Sequence, residues 1–227
     1  MIELYNIDCM VKMAEYSDKY FDLLLADPPY GIKESAHRNI SRSKLAKTRM
    51  YRKTVWDLEI PPQEWFDEAI RISKYQIIFG INYFFERKII PYSAGRIIWD
   101  KCNDATNFSD CEIAYCSFHH STRIFRFMWN GMLQGTPGDG TKMQSNKKMN
   151  QYRIHPTEKP IALYKWILKK YCTPEYKIID PFGGSMSSVI AAFDFGISEM
   201  ICTEKDPIHY KEAVERFNIH KMQTKLF

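Results

Sequence analysis

The sequence predicts an α/β domain in which a mostly parallel sheet is covered by helices on both faces. Short apolar runs alternate with amphipathic segments of helical length, an order typical of strand–helix–strand units. The run at residues 21–26 ends abruptly at Asp27-Pro28-Pro29, where two prolines without N–H groups must stop the strand. The length of 227 residues is enough for one large domain with a full core.

The remaining elements follow from apolar periodicity and from breaks at Gly and Pro. Besides residues 21–26, we predict strands at residues 2–7, 75–79, 95–99, 111–118, 177–180 and 199–203. We predict helices at residues 9–16, 61–73, 83–90, 160–171, 186–195 and 207–220. Residues 31–55 fit neither pattern and are predicted as a long basic loop, and residues 119–153 as an irregular insertion with one short hairpin. Residues 1–227 then form a single domain.

Basic charge is concentrated in these two irregular stretches. Residues 31–55 hold eight Lys and Arg against one acidic residue, and residues 119–153 hold six against one. The net charge of the whole chain is only +5, so the remainder is acidic. Two solvated loops would explain the pattern, but the first stretch leaves directly from Asp27, which favours a polyanionic partner such as nucleic acid.

The six cysteines include no CxxC pair, which suits a reducing compartment. Cys102, Cys111, Cys116, His119 and His120 raise the question of a zinc site. Their spacing matches no standard zinc pattern, so we expect no metal. Charges interrupt every apolar run, and the N-terminus lacks the features of a signal peptide, so we expect a cytoplasmic protein with no membrane span.

The end of the strand at residues 21–26 carries a specific set of groups. Asp27 offers a carboxylate acceptor, the carbonyl of Pro28 offers a second acceptor, and Tyr30 offers a flat aromatic face. Two acceptors beside an aromatic ring could hold the exocyclic amino group of a flat heterocycle such as adenine. An ordinary strand-to-loop transition explains the same four residues equally well.

A second set lies near the C-terminus, where the strand at residues 177–180 runs into Asp180-Pro181-Phe182-Gly183-Gly184-Ser185 and then a helix. Glycines allow a tight turn and a close approach to a ligand. Glu204 follows at the end of the next strand, in a position to accept hydrogen bonds from ribose hydroxyls. The pattern indicates a nucleotide-type ligand, although a glycine-rich turn with a surface Glu is the simpler alternative.

A third set, His155-Pro156-Thr157-Glu158-Lys159-Pro160, precedes a predicted helix. Thr157 is a candidate N-cap and Lys159 a candidate donor. Taken alone, this motif indicates only a capped helix.

Together, DPPY at residues 27–30, HPTEKP at 155–160, DPFGGS at 180–185 and TEKDP at 203–207 resemble the amino-methylating DNA methyltransferases of the β arrangement. In that family the catalytic motif precedes the cofactor motif, and the target-recognition region lies between them. The resemblance runs from Asp8 to about Phe217. It implies a Rossmann-like S-adenosylmethionine-dependent methyltransferase fold, with a seven-stranded sheet that contains one antiparallel strand. One departure is Met186-Ser187, where the family continues with Gly-Thr.

The resemblance also assigns roles. Its catalytic motif corresponds to Asp27, Pro28, Pro29 and Tyr30. Its cofactor-binding positions correspond to Asp8, Asp27, Thr157, Lys159, Asp180, Phe182, Gly183, Gly184, Ser185, Glu204 and Asp206. The target-recognition region corresponds to residues 119–153. The two basic stretches supply the candidate DNA-binding residues Lys33, Arg38, Arg42, Lys44, Lys47, Arg49, Arg123, Arg126, Lys142, Lys147 and Lys148.

The activity implied is site-specific methylation of the N6 amino group of adenine in double-stranded DNA, after the base is flipped out. A cytosine-C5 enzyme is set aside because the chain has no Pro-Cys dipeptide. An N4-cytosine methyltransferase and a DNA-binding relative without activity stay as alternatives. The resemblance leaves open whether the protein forms a homodimer and whether a cognate restriction endonuclease accompanies it.

Overall fold

An eight-stranded sheet forms the centre of the computed structural model, which describes residues 1–32, 59–84, 86–87, 93–103, 109–129, 134–136, 150–151, 153–154 and 157–224. The strands, in chain order, are β1 (Ile2–Tyr5), β2 (Phe21–Ala26), β3 (Ser73–Phe79), β4 (Arg96–Asp100), β5 (Cys111–Cys116), β6 (Thr122–Arg126), β7 (Met128–Trp129), β8 (Gln134–Gly135), β9 (Lys177–Asp180) and β10 (Glu199–Thr203). The spatial order of the main sheet is β1-β10-β9-β2-β3-β5-β4-β6. Strands β7 and β8 form a separate antiparallel pair.

Five helices accompany the sheet in the part of the chain that is described: α1 (Cys9–Met13), α2 (Gln63–Ile72), α3 (Ile161–Tyr171), α4 (Ser187–Phe195) and α5 (Pro207–Thr224). Alternate residues of β2 face two separate cores. Leu23 and Leu25 pack in a cluster that includes residues of α3, α4 and α5, whereas Leu24 and Ala26 pack with residues of α1 and α2. Helices therefore cover both faces, as predicted. The described helices include none that is long and apolar enough to cross a membrane.

Most strand predictions are confirmed, and three of them, at residues 21–26, 177–180 and 199–203, match to the residue. The number of strands differs, because residues 122–126 join the main sheet beside β4 as an eighth strand. Threonine, isoleucine and phenylalanine in that stretch favour a strand, and four of its five residues are exposed, as suits a sheet edge. The helix predicted at residues 83–90 is wrong at the positions that are described, since a short 3-10 helix at Ile81–Tyr83 replaces its start.

Strand β5 is antiparallel to both of its neighbours, β3 and β4, whereas the other adjacent pairs of the main sheet are parallel. Its register pairs Ala114 with Phe79 and Glu112 with Trp99. Because β5 runs the opposite way, its first residues lie at the edge where the parallel strands end. Glu112 is thereby brought to the same edge as Asp27, which follows β2.

Gly80 directly follows β3, and its backbone is in the left-handed region, with φ of +75°. A Cβ atom built on it would lie 2.2 Å from Cε1 of the Tyr30 ring. Gly196 at the C-terminus of α4 has a similar φ of +83°, yet a Cβ there would meet nothing within 4 Å. The two positions share backbone strain and differ in whether a side chain would displace Tyr30.

We expect Gly80→Ala and Gly196→Ala each to lose about 1–2 kcal/mol of unfolding free energy from left-handed strain. Gly80→Ala should lose more than its control, because its methyl group collides with Tyr30. Urea unfolding of the two variants measures the difference. Equal losses would show that the contact with Tyr30 does not constrain Gly80.

Candidate active site

Four carboxylates follow adjacent parallel strands at one edge of the sheet. Asp27 follows β2, Asp180 ends β9, Glu204 follows β10, and Asp8 lies three residues beyond β1. Carboxyl ends of parallel strands are the usual ligand edge of open α/β sheets. The arrangement brings together residues that are up to 196 positions apart in the chain.

Asp27 is held by two donors that act on the same oxygen. The hydroxyl of Tyr30 donates to Oδ1 at 2.8 Å, and the ammonium of Lys159 also donates to Oδ1. Lys159 donates in addition to the Tyr30 hydroxyl, at 2.9 Å. Oδ2 accepts no hydrogen bond from the described residues, and the Asp27 side chain keeps 22% of its surface exposed. The carboxylate is therefore oriented through one oxygen, and the other keeps its capacity to accept a hydrogen bond.

Lys159 is deeply buried, with 2% of its side chain exposed, and it has a second carboxylate partner. Glu112 Oε2 lies 3.0 Å from Lys159 Nζ, and Glu112 Oε1 lies 2.8 Å from Lys101 Nζ. Three successive ion pairs thus link Lys101, Glu112, Lys159 and Asp27, with positive and negative side chains alternating. Burial of a lysine is costly unless the charge is paired, and here two carboxylates pair it.

The environment moves the pKa values of these groups in different directions. Burial raises the pKa of Asp27, and the Glu112 charge adds to this, while Lys159 and Tyr30 oppose it. Burial would raise the pKa of Glu112 too, but Lys159 and Lys101 overcome it and lower that pKa to about 2. Burial would lower the pKa of Lys159, yet the two carboxylates outweigh it and the pKa is raised. Lys159 and Glu112 are therefore charged at neutral pH.

The ring of Tyr30 lies in an aromatic group. It stacks on Tyr83 with ring centroids 4.9 Å apart and an interplanar angle of 14°, and the ring of Phe84 approaches at 6.2 Å and 70°. Tyr83 is 38% exposed, whereas Phe84 is buried. Tyr83 is the solvent-facing member of the group.

Asp180 anchors the glycine turn. Its Oδ1 accepts from the backbone N–H of Phe182 at 3.0 Å, and its Oδ2 accepts from the Ser188 hydroxyl. Burial raises the pKa of Asp180 to about 7, with the charges of Asp27 and Glu204 adding to the shift. The carboxyl group is therefore half protonated near neutral pH, and a nearby cation would ionise it.

Glu204 connects the turn to the end of β10. Its Oε2 accepts from the backbone N–H of Gly184 at 2.9 Å, and its Oε1 from that of Asp206 at 2.8 Å. Burial raises the pKa of Glu204. Each oxygen keeps a further lone pair for a ligand hydroxyl. Asp206 itself accepts from the backbone N–H of Ile208 at 2.8 Å, in the first turn of α5.

Asp8 caps a helix, whereas Thr157 does not. Asp8 is the N-cap of α1, accepts from the backbone N–H of Met10 at 2.9 Å, and pairs with Lys205 at 2.8 Å. Thr157 does not cap α3, because the N-cap is Pro160, which forms no side-chain cap. Pro160 separates Thr157 from the helix, so the capping expectation is wrong.

The turn after Ser185 contains a strained residue. Met186 has φ of +56° and is fully buried, at the N-cap of α4. A left-handed conformation explains why a glycine suits this position, and a non-glycine residue there costs about 1–2 kcal/mol. Gly183 is also constrained, since a Cβ on it would lie 2.5 Å from Cys202 Sγ. The backbone of the turn therefore lies directly on β10.

A second buried ion pair connects this turn to the residues that carry Lys159. Arg216 of α5 donates to the carbonyl of Ser185 at 2.8 Å and to Glu158 Oε1 at 2.9 Å, and the Glu158 side chain is fully buried. Glu158 also accepts from the Gln151 side chain at 2.6 Å and from the backbone N–H of Ile154 at 3.0 Å. The pair joins α5, the glycine turn and the end of the 119–153 region.

Only part of the predicted DNA-binding set lies within the described residues. Arg123 and Arg126 are exposed on β6, and Arg126 pairs with Asp100 at 3.2 Å. They lie at the edge of the sheet that is farthest from β1. Lys33, Arg38, Arg42, Lys44, Lys47, Arg49, Lys142, Lys147 and Lys148 lie outside the described residues.

Sequence reasoning missed Glu112, Lys101, Glu158, Arg216 and Tyr83. Glu112 stands in an otherwise apolar predicted strand, and a charge in that position was a signal that could have been followed. Glu158 was visible within the HPTEKP motif. Arg216 lies in a helix with many charged residues, and its sequence context offers no such signal.

Comparison with known proteins identifies the class of the fold first. The structure of the M1.HpyAVI–SAM complex has a TM-score of 0.54 and 18% identity, with 95% of this chain and 100% of that chain covered. The PvuII DNA methyltransferase, described as cytosine-N4-specific, has a TM-score of 0.58 and 13% identity, with 95% and 86% covered. These likenesses confirm the methyltransferase fold.

The family follows from the sequence comparison. The model of the family described as DNA methylase (N6_N4_Mtase) matches residues 98–215, about half of the chain. The Type II methyltransferase M2.MboI of Moraxella bovis is 22% identical over 216 residues, which cover 83% of this chain and 77% of that protein. The chain belongs to the DNA methylase family. Members of this family use S-adenosylmethionine, so the predicted cofactor is confirmed at the level of the family.

We expect Arg216→Met to lower the free energy of unfolding by about 3–5 kcal/mol, because it leaves the Glu158 carboxylate buried without its cation. The double variant Glu158→Gln/Arg216→Met should recover part of this loss. Lys165→Met is the matched control, since Lys165 pairs with Asp194 at a half-exposed position and should matter little. Urea unfolding compares all three, and equal losses in Arg216→Met and Lys165→Met would refute the assignment.

Proposed function

We propose that the protein transfers a methyl group from S-adenosylmethionine to the N6 amino group of adenine in double-stranded DNA, after the base is flipped out of the helix. The observation that carries the proposal is the orientation of Asp27. Two donors hold its Oδ1, and its Oδ2 accepts no hydrogen bond from the described residues, so that oxygen keeps its capacity to accept from a ligand. An oriented carboxylate acceptor beside an aromatic group suits an exocyclic amino group on a flat base.

The carboxylates along the strand ends support the cofactor assignment. S-adenosylmethionine carries a sulfonium and an ammonium group, and it supplies an activated methyl group when bound. Asp180, held at a pKa of about 7 by burial, gains most from a neighbouring cation. Glu204 has free lone pairs for ribose hydroxyls. In this proposal Phe182, Gly183, Gly184 and Ser185 form the wall beside the methionine part.

The residues of the chain position the reaction rather than supply strong acids or bases. The lone pair of the adenine amino nitrogen is delocalised into the ring. Hydrogen bonds from that NH₂ group to Asp27 Oδ2 and to the Pro28 carbonyl would direct the lone pair toward the methyl group. The proton becomes acidic as the C–N bond forms, and Asp27 accepts it. Tyr30 and Tyr83 offer aromatic faces for the flipped base, and such stacking is worth about 1–3 kcal/mol.

The same chemistry would serve the N4 amino group of cytosine. The Asp at the first position of the catalytic motif favours adenine by resemblance alone. The PvuII enzyme, whose description is cytosine-N4-specific, shares the fold. The fold therefore does not separate the two bases, and the methylated nucleoside decides between them.

Contacts to DNA belong to the same proposal. Arg123 and Arg126 are exposed on the edge strand β6, where a phosphate backbone could be reached. We assign target recognition to residues 119–153 and backbone binding to the basic loop at residues 31–55, on the strength of their charge.

Asp27→Ala should retain the fold and the cofactor affinity while the rate of methyl transfer falls by about 10²–10⁴. Tyr30→Phe keeps the aromatic face and should retain more activity than Tyr30→Ala, although it loses one hydrogen bond to Asp27. Single-turnover methylation of a duplex oligonucleotide, with calorimetry of cofactor binding on the same preparations, measures both effects. The catalytic assignment fails if Asp27→Ala methylates at nearly the wild-type rate.

Cofactor affinity should depend on pH through Asp180. Below a pKa of about 7 the carboxyl group is neutral and attracts a cation poorly, whereas above it the carboxylate is ionised. We expect affinity for S-adenosylmethionine to be about tenfold weaker at pH 6 than at pH 8. Asp180→Asn removes the titrating group and should flatten this dependence. Calorimetric titrations at both pH values give the answer, and an unchanged dependence in Asp180→Asn would contradict it.

A further inference from the structure

The carboxylate of Glu112 has a place in the site that the proposed function does not use. It lies at the start of β5, the one strand of the main sheet that runs against its neighbours in the described structure. Its Oε2 lies 3.0 Å from Lys159 Nζ, and its Oε1 lies 2.8 Å from Lys101 Nζ. The Tyr30 hydroxyl is 3.5 Å from the same Oε2. Glu112 thus contacts both groups that orient Asp27.

The contacts of the Lys159 ammonium explain how Glu112 can affect the position of Lys159. An ammonium group has three N–H donors. Nζ of Lys159 has three oxygen neighbours, which are Asp27 Oδ1, the Tyr30 hydroxyl and Glu112 Oε2. Two of its donors go to Asp27 Oδ1 and the Tyr30 hydroxyl, and the ion pair with Glu112 also holds the ammonium, which is thus placed between two carboxylates. Loss of any one acceptor would let it turn toward the others.

We propose that Glu112 is a positioning residue for methyl transfer: it shares the Lys159 ammonium with Asp27, so that Lys159 orients Asp27 without neutralising it. This inference rests on the proposed function, because it concerns the acceptor for the target amino group. Lys101 partly neutralises the negative charge of Glu112 through its own ion pair.

The proposed role of Glu112 follows because the single positive charge of Lys159 is shared between two carboxylates, Asp27 and Glu112. With Glu112 present, Lys159 is attracted in two directions at short range. With a neutral group at position 112, the ammonium would pair with Asp27 alone, and the carboxylate would become a weaker acceptor. In a partly buried site such interactions are only weakly screened.

The charged and titratable groups around Asp27 come from several elements. Lys159 precedes α3, Tyr164 lies on α3, Tyr30 follows β2, Glu112 starts β5, and Asp180 ends β9. The Glu112 charge raises the pKa of Asp27, whereas Lys159 lowers it. Removal of the Glu112 charge should therefore lower the pKa of Asp27. Removal of the Lys101 charge makes the cluster more negative and should raise it.

Two variants with opposite expected effects test the proposal. Glu112→Gln should move the titration of Asp27 to lower pH, and Lys101→Met should move it to higher pH. Glu199→Gln is the matched control. Like Glu112, Glu199 is a carboxylate on a strand with a lysine and a tyrosine as partners, Lys177 at 3.6 Å and the Tyr20 hydroxyl at 2.7 Å. It lies at the start of the parallel strand β10, at the edge of the sheet opposite Asp27. This variant should leave Asp27 unchanged.

The measurement is a pH titration of protein labelled with ¹³C at the aspartate carboxyl carbon, in which loss of a signal in Asp27→Asn identifies Asp27. Because it needs neither DNA nor turnover, it stands apart from the proposed function. If the wild type methylated no duplex, the function would fail while the titration would still report on Glu112. If Glu112→Gln does not fold, Lys101→Met still tests the charge coupling.

Opposite displacements in the two variants support the inference, and no displacement, or displacement in the same direction, overturns it. In single-turnover methylation, Glu112→Gln should slow methyl transfer by about tenfold, less than loss of Asp27 itself, with cofactor affinity unchanged. A purely structural role would instead lower the unfolding midpoint and shift cofactor affinity together with the rate.

Discussion

The buried ammonium of Lys159 is the interaction on which the site depends. Burial of a lysine with 2% of its side chain exposed is costly unless the charge is paired, and two carboxylates, Asp27 and Glu112, pair it here. The same contacts fix Asp27, Tyr30 and Glu112 relative to one another. Lys159 precedes α3, Asp27 follows β2, and Glu112 starts β5, so one charge joins three parts of the fold. The arrangement of the candidate site is thus linked to the pairing of that charge.

The reversed direction of β5 makes this arrangement possible. In a fully parallel sheet the first residues of a strand lie at the edge opposite the ligand site. Because β5 is antiparallel, Glu112 instead reaches the edge where Asp27, Asp180 and Glu204 gather. The strained turn at Met186 and the buried Glu158–Arg216 pair hold the other half of the edge. Two buried charged clusters therefore support the site, and the adjacent residues Glu158 and Lys159 link them.

Much of the fold could be predicted from the sequence, because apolar runs and Pro or Gly breaks mark buried strands directly. Strand β2 and the strands that carry Asp180 and precede Glu204 were found in this way. The motifs likewise gave Asp27, Tyr30 and Lys159. Glu112 could not be placed, since pairing direction depends on contacts distant in sequence, here β3 with β5. The eighth strand, β6, was missed because it lies within a glycine-containing, charged stretch without clear alternation.

We propose that this edge of the sheet methylates the amino group of adenine. The most direct test is to incubate the protein with unmethylated plasmid and S-adenosylmethionine carrying a deuterated methyl group, and then to digest the DNA to nucleosides for mass spectrometry. The wild type should form labelled N6-methyldeoxyadenosine, and Asp27→Ala should form at least about 100-fold less in the same time. Labelled N4-methyldeoxycytidine, or label in neither nucleoside, would contradict it.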